Sequence, residues 1–120
     1  IIVSLISMES QRQKKVSRLI QKDLSAIFLQ ESKSLYNGVM ISITHVFVSK
    51  DLSLAKVYLS LFPENKKSEV FEDIKFKTKQ FKHKLAFKLK NQMRKTPDLV
   101  FYIDNSLDHY ESINKILKDI

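Results

Sequence analysis

The fold turns on the stretch Val39 to Phe62, VMISITHVFVSKDLSLAKVYLSLF. Its first part, Val39 to Ser49, is β-branched and aromatic and reads as a strand. Val39, Ile41 and Ile43 alternate, and Val46 and Val48 then take the other phase. A strand has a side-chain period of two, so this switch predicts a bulge or twist near Thr44-His45. Lys50-Asp51-Leu52-Ser53 is polar enough to turn the chain. Leu54 to Phe62 then reads as a second strand, with Ala55, Val57, Leu59 and Leu61 on one face. Two strands joined so closely form an antiparallel hairpin. Pro63 closes it.

Upstream, Glu9 to about Ser32 reads as an amphipathic helix. Val16, Leu19, Ile20, Leu24, Ile27 and Phe28 recur three and four apart and form one apolar stripe. Arg12, Lys14, Lys15, Arg18 and Lys22 occupy the opposite side. Asn37-Gly38, holding the chain's only glycine, ends the connection where a positive backbone angle is expected. Downstream, Lys66 to Arg94 is helical in pattern, with Val70, Ile74, Phe81, Leu85, Leu89 and Met93 near one face. Phe76 and Phe87 fall off that stripe, so the segment reads as two helices or one bent helix. Thr96-Pro97 ends it. Leu99 to Ile103, LVFYI, is a third strand. Asn105-Ser106 can cap a last short helix with Leu107, Tyr110, Ile113 and Leu117 on its apolar side. The order helix, strand, strand, long helix, strand, short helix predicts an α+β domain with helices on one face of a three-stranded sheet.

At 120 residues, 43% of them hydrophobic, the chain is long enough for one core and too apolar for disorder. Residues 8–120 read as that single domain. Ile1–Ser7, apolar and ahead of Met8, read as a non-native leader, with an added edge strand as the alternative. Cysteine is absent, which excludes disulfides and thiolate chemistry and fits a cytoplasmic protein. No apolar run is long enough for a membrane span.

Little supports catalysis. His45, His83 and His109 have no second ligand at metal-site spacing, so no metal and no cofactor is expected. One glycine cannot build a phosphate loop. Asp51 and Asp104 each follow a strand and read as turn-forming or capping aspartates rather than a catalytic pair.

Charge is the informative feature. The net charge of +8 favours polyanionic partners. From Lys75 to Lys95 the chain carries Lys75, Lys77, Lys79, Lys82, Lys84 and Lys88, then Lys90, Arg94 and Lys95, with no acidic residue among them; all but Lys77 form the candidate RNA-binding set. Lys75 and Lys79 are four apart, as are Lys84 and Lys88, and like charges at that spacing repel on a helix. A polyanion such as RNA relieves that repulsion. Arg12, Lys15 and Arg18 on the first helix extend the same candidate RNA-binding set. A membrane surface is the weaker partner, because the apolar stripe has a sheet to cover.

Three segments together resemble ribosome-binding factor A, a family of bacterial small-subunit assembly proteins. They are QRQKKVSRLIQKDLSAIF at 11–28, the hairpin, above all VSKDLSLAKVYLS at 48–60, and RKTPDLVFYIDNSLDH at 94–109. The resemblance implies a type II KH fold. It also implies a non-catalytic role in late maturation of the small ribosomal subunit, with importance for growth in the cold. The partners it implies are immature rRNA and small-subunit ribosomal proteins, met by a monomer. In the family a helix–kink–helix replaces the glycine-rich KH loop, with a small residue at the kink; Ala86 in HKLAFKLK is the candidate here. A generic KH-like RNA-binding module and a basic protein–protein interaction domain are the alternatives.

Overall fold

The computed structural model describes residues 9–104. The leader and the last short helix expected from sequence lie outside them.

Helix α1 spans Gln11–Ser34. Its start is a reciprocal capping box: the Gln13 amide donates to Ser10 Oγ at 3.2 Å, and the Ser10 amide donates to Gln13 Oε1 at 2.8 Å. The same Gln13 donates its side-chain Nε2 to the Val48 carbonyl at 2.7 Å, which ties the helix start to the end of the first strand. At the far end the backbone turns through positive φ at Asn37 (50°) and Gly38 (78°), residue types that tolerate it.

Strands β1 (Met40–Val48) and β2 (Leu54–Phe62) form the antiparallel hairpin, in register from Met40 opposite Phe62 to Val48 opposite Ala55. The register slips between Ile43 and His45, so Thr44 is the bulge that the phase switch predicted. Strand β3 (Asp98–Ile103) lies parallel to β2, giving the order β1-β2-β3. Ala55, Val57 and Leu59 on β2 are fully buried beneath the helices.

Helices α2 (Lys67–Phe76) and α3 (Thr78–Leu89) follow a short 3-10 turn at Glu64–Lys66. The expected interruption is present, but it falls at Lys77 and not at Ala86. Lys77 leaves the helical region (φ −95°, ψ 19°), and the Thr78 hydroxyl donates back to the Lys75 carbonyl at 2.7 Å. Ala86 lies inside the unbroken helix α3, because Phe81, Leu85 and Leu89 bury one continuous stripe on either side of it. Phe76 and Phe87 point to solvent, 87% and 70% exposed.

The core is closed by Phe28. Its ring meets Phe81 at 5.0 Å and Phe101 at 5.8 Å, joining α1, α3 and β3 at one buried point. Together, α1, β1, β2, α2, α3 and β3 form the type II KH arrangement.

Candidate nucleic-acid interface

The cations of the α2–α3 segment do not share one face. On α3 the buried stripe is Phe81, Leu85 and Leu89, and the helical period sets the lysines around the remaining arc. Lys84 sits on the flank facing α1 and donates to Glu31, a carboxylate only 10% exposed. Lys82 sits on the flank facing β3 and donates to Asp98 Oδ1 at 2.5 Å. That bond and the charge behind it hold the Asp98 pKa below its ordinary value. Lys75 pairs with Glu72 at 3.3 Å, and Lys77 with Asp73 at 3.0 Å. Lys90 lies over the Phe87 ring at 4.6 Å. Lys79 and Lys88 are exposed. Part of the lysine run is therefore neutralised from within the fold, by carboxylates on α1, α2 and the start of β3.

The helix junction at Lys77 is not cationic. The cleft beside it, about 650 Å³, is lined by Glu69, Glu72 and Asp73 as well as by Lys66 and Lys77. Burial works against the Asp73 carboxylate, but the Tyr36 hydroxyl, donating at 2.8 Å, and Lys77 outweigh it and hold its pKa below the ordinary range. Burial, and then Asp73, push the Tyr36 phenol up.

A larger groove, about 1150 Å³, opens at the other end of the helical layer. Phe81 of α3 meets Phe28 in the second half of α1, whereas Gln92 to Lys95 line a groove with Arg12 to Lys22, so the chain leaving α3 returns beside the first half of α1. One wall of the groove is Arg12, Lys15, Arg18 and Lys22 of α1, three and four residues apart and so in one row. The opposite wall is Arg94 and Lys95. Among the described residues no ion pair ties these cations to a carboxylate within the groove, and Asp51 is the one carboxylate in its lining. The floor is apolar: Leu19, Leu52 and Met93 are half-buried and pack against the core.

The turn of the hairpin closes the groove and is held on several sides. The Ser49 and Ser53 hydroxyls each donate to Asp51 Oδ1 at 2.7 Å, and the Ser53 amide donates to the same oxygen at 3.1 Å. The Leu52 amide donates to the Ser49 carbonyl at 2.9 Å. These donors, Ser49 first, lower the Asp51 pKa to about 2. The turn holds Leu52 at φ 62°, a conformation that is uncommon for a branched apolar residue.

The structure thus brings Arg12, Lys15 and Arg18 together with Arg94 and Lys95 in one groove. It leaves Lys75, Lys79, Lys82, Lys84, Lys88 and Lys90 spread around α2 and α3. Lys22, Leu19, Leu52 and Met93 were not among the residues singled out from sequence as a site. Lys22 was detectable, since it continues the Arg18 row by one turn; the floor residues were not, because from sequence they read as core or turn. Among the described residues no cluster of three or more metal-ligating side chains forms. No helix among them is long and apolar enough to cross a membrane.

A small KH-like domain with a cationic groove at one end is the class to which these features point. The family model for ribosome-binding factor A matches residues 12–117. Ribosome-binding factor A of Cytophaga hutchinsonii is 42% identical over 113 residues, covering 94% of this chain and 85% of that protein. The chain belongs to the ribosome-binding factor A family. Its fold is similar to the crystal structure of ribosome-binding factor A from Thermus thermophilus (TM-score 0.60, 22% identity, 76% of this chain and 94% of that one). It is also similar to a Thermus thermophilus ribosome-binding factor A homology model fitted into a cryo-EM map of its 30S complex (TM-score 0.55, 20% identity, 82% of this chain and 97% of that one).

Proposed function

We propose that this protein is a cytoplasmic, non-catalytic assembly factor that binds the small ribosomal subunit through its immature rRNA. The observation that carries this reading is the groove between α1 and residues 92–95, where cations from two distant parts of the chain face one another with no ion pair among the described residues to offset them. Holding like charges together costs free energy in the isolated protein, and phosphates remove that cost. Family membership and the 30S complex of a structurally similar protein support the same partner. The groove cations are the primary phosphate contacts, and exposed Lys79 and Lys88 extend the surface along α3. Phosphate contacts position a protein without reading sequence, so specificity comes from the shape of the rRNA and its neighbours.

Co-sedimentation with purified small subunits, compared with assembled ribosomes and with free RNA, tests this reading. Retention on small subunits, lost at high salt, is the expected result. Equal affinity for free RNA and for subunits would instead support a generic RNA-binding module, and retention in nuclease-treated lysate would support a protein partner.

A further inference from the structure

We propose that the outer face of the sheet, the side turned away from the helices, is the docking site of this chain's own segment Asn105 to Ile120. The inference stands apart from the RNA-binding reading above, and its test contains no RNA.

The composition of that face is wrong for water. Ala55, Val57 and Leu59 on β2 lie beneath the helices, so the alternate residues of the strands point the other way. A sheet with one solvated face carries polar side chains there. Here a row of rings crosses all three strands instead. His45 stacks on Phe47 at 5.9 Å, Phe47 meets Tyr58 edge-on at 5.7 Å, and Tyr58 stacks on Tyr102 at 5.2 Å. Phe47 itself is buried, whereas Tyr102 is 39% exposed. At the end of the hairpin, Met40 and Phe62 pair across the strands and are 63% and 69% exposed. A contiguous apolar surface of this kind marks a place where something docks.

The path of the chain names the occupant. The Asp104 amide donates to the Leu59 carbonyl at 2.8 Å, which carries the ladder one residue past Ile103. The Asp104 carboxylate, on the same side as Tyr102, accepts from the Thr44 hydroxyl at 2.6 Å. Strand β2 lies between β1 and β3, so this bond bridges β2 and holds the end of β3 against the outer face. The chain leaves there, between the ring row and the Met40–Phe62 pair. The residues that follow suit such a surface. Leu107, Tyr110, Ile113 and Leu117 recur three and four apart, one apolar stripe on a helix. A helix over 106–118 is about 20 Å long, and three strands span about 10 Å, so it reaches across the row. Asp108 and Glu111 bring negative charge to a face where Lys56 is exposed. Docking withdraws the rings and the Met40–Phe62 pair from water and leaves the helical side, with its groove, free for its partner.

The test is nitroxide labelling of the full chain, which has no native cysteine. A label at Lys115→Cys, off the apolar stripe, is expected to erase the amide NMR signals of Phe47, Tyr58 and Tyr102. Those of Arg18 on α1 and Lys88 on α3 are expected to remain. Ile113→Asp in the labelled chain is expected to restore the lost signals, and Leu117→Ser, a milder change, to restore them in part. Signals that stay lost in both variants would show that the stripe is not what docks. Outer-face signals that survive the label, or losses spread equally over the helical side, would also overturn the proposal. So would losses in an isotopically labelled chain mixed with the nitroxide-bearing one, which would make a second copy the occupant.

Discussion

Asp51 accepts three hydrogen bonds with its carboxylate fully exposed to solvent. Its pKa, lowered from 3.8 to about 2, means that the turn's contribution to stability is complete above about pH 4 and disappears as pH falls through 2. The melting-temperature gap between the protein and Asp51→Ala is therefore expected to shrink as pH falls from about 5 to 2. A constant gap would mean that the charge does not hold the turn. Glu31 presents the opposite case, a buried carboxylate whose cation reaches in from another helix. Lys84→Ala strands that carboxylate and is expected to cost about 1–3 kcal/mol by chemical denaturation. Ala86 tests where the kink lies. Inside an unbroken helix, Ala86→Gly costs about 1 kcal/mol, whereas at a kink it would be neutral. That cost corresponds to a fall of roughly 4–8 °C in melting temperature for a domain of this size.

Among the elements, the hairpin was fully legible. Its alternation, phase switch and turn sit within one continuous stretch, and strand period and turn chemistry are local properties. The α2–α3 break was legible only as a disturbed stripe. Its position depends on Thr78 returning its hydroxyl to the Lys75 and Ile74 carbonyls, a competition that composition does not reveal; the expectation at Ala86 came from the family resemblance and not from its neighbours. The start of α1 was placed within two residues from its apolar stripe, but the role of Gln13 was not visible. A glutamine in the first turn reads as solvent-facing, yet it is 6% exposed and bonded to Val48. Gln13→Ala removes both the capping partner and that buried bond. It is expected to lower stability by about 1–2 kcal/mol, more than Ser10→Ala, which removes only the cap. Equal effects of the two substitutions would show that the Val48 bond contributes nothing.

Across the molecule as a unit, Phe28 and the charge pattern have consequences that reach beyond single elements. Phe28→Ala opens a cavity where three elements meet and is expected to cost about 3–5 kcal/mol, a large share of the stability of a small domain. The two groups of cations separate by salt dependence of subunit binding. Arg12→Ala, Arg18→Ala and Arg94→Ala are each expected to flatten the slope of log affinity against log salt by somewhat under one unit. Lys82→Ala and Lys84→Ala are expected to change it less, because Asp98 and Glu31 already neutralise those cations. Lys79→Ala and Lys88→Ala measure how far the contact extends along α3, and Lys56→Ala on the open sheet face is the control. Equal slopes for groove and paired-lysine variants would move the interface away from the groove.

Within the described residues, the order of elements, the faces they bury and the hairpin with its bulge were readable from the amino acids alone, as were the strongly basic character of the chain and its family. The family follows from the resemblance of three segments; the other properties follow from periodicity, turn chemistry and composition, all of which act between residues close along the chain. Which cations are available is a property of the packed molecule. The Lys75–Lys95 run contains no acid, yet Glu31 and Asp98 reach it from α1 and β3 across 53 and 16 positions of sequence. The groove likewise exists only because the packing of α3 returns Arg94 and Lys95 to the row that begins at Arg12. Charge–charge interactions act through space over several ångströms, so their balance is set by how helices pack and not by how residues follow one another.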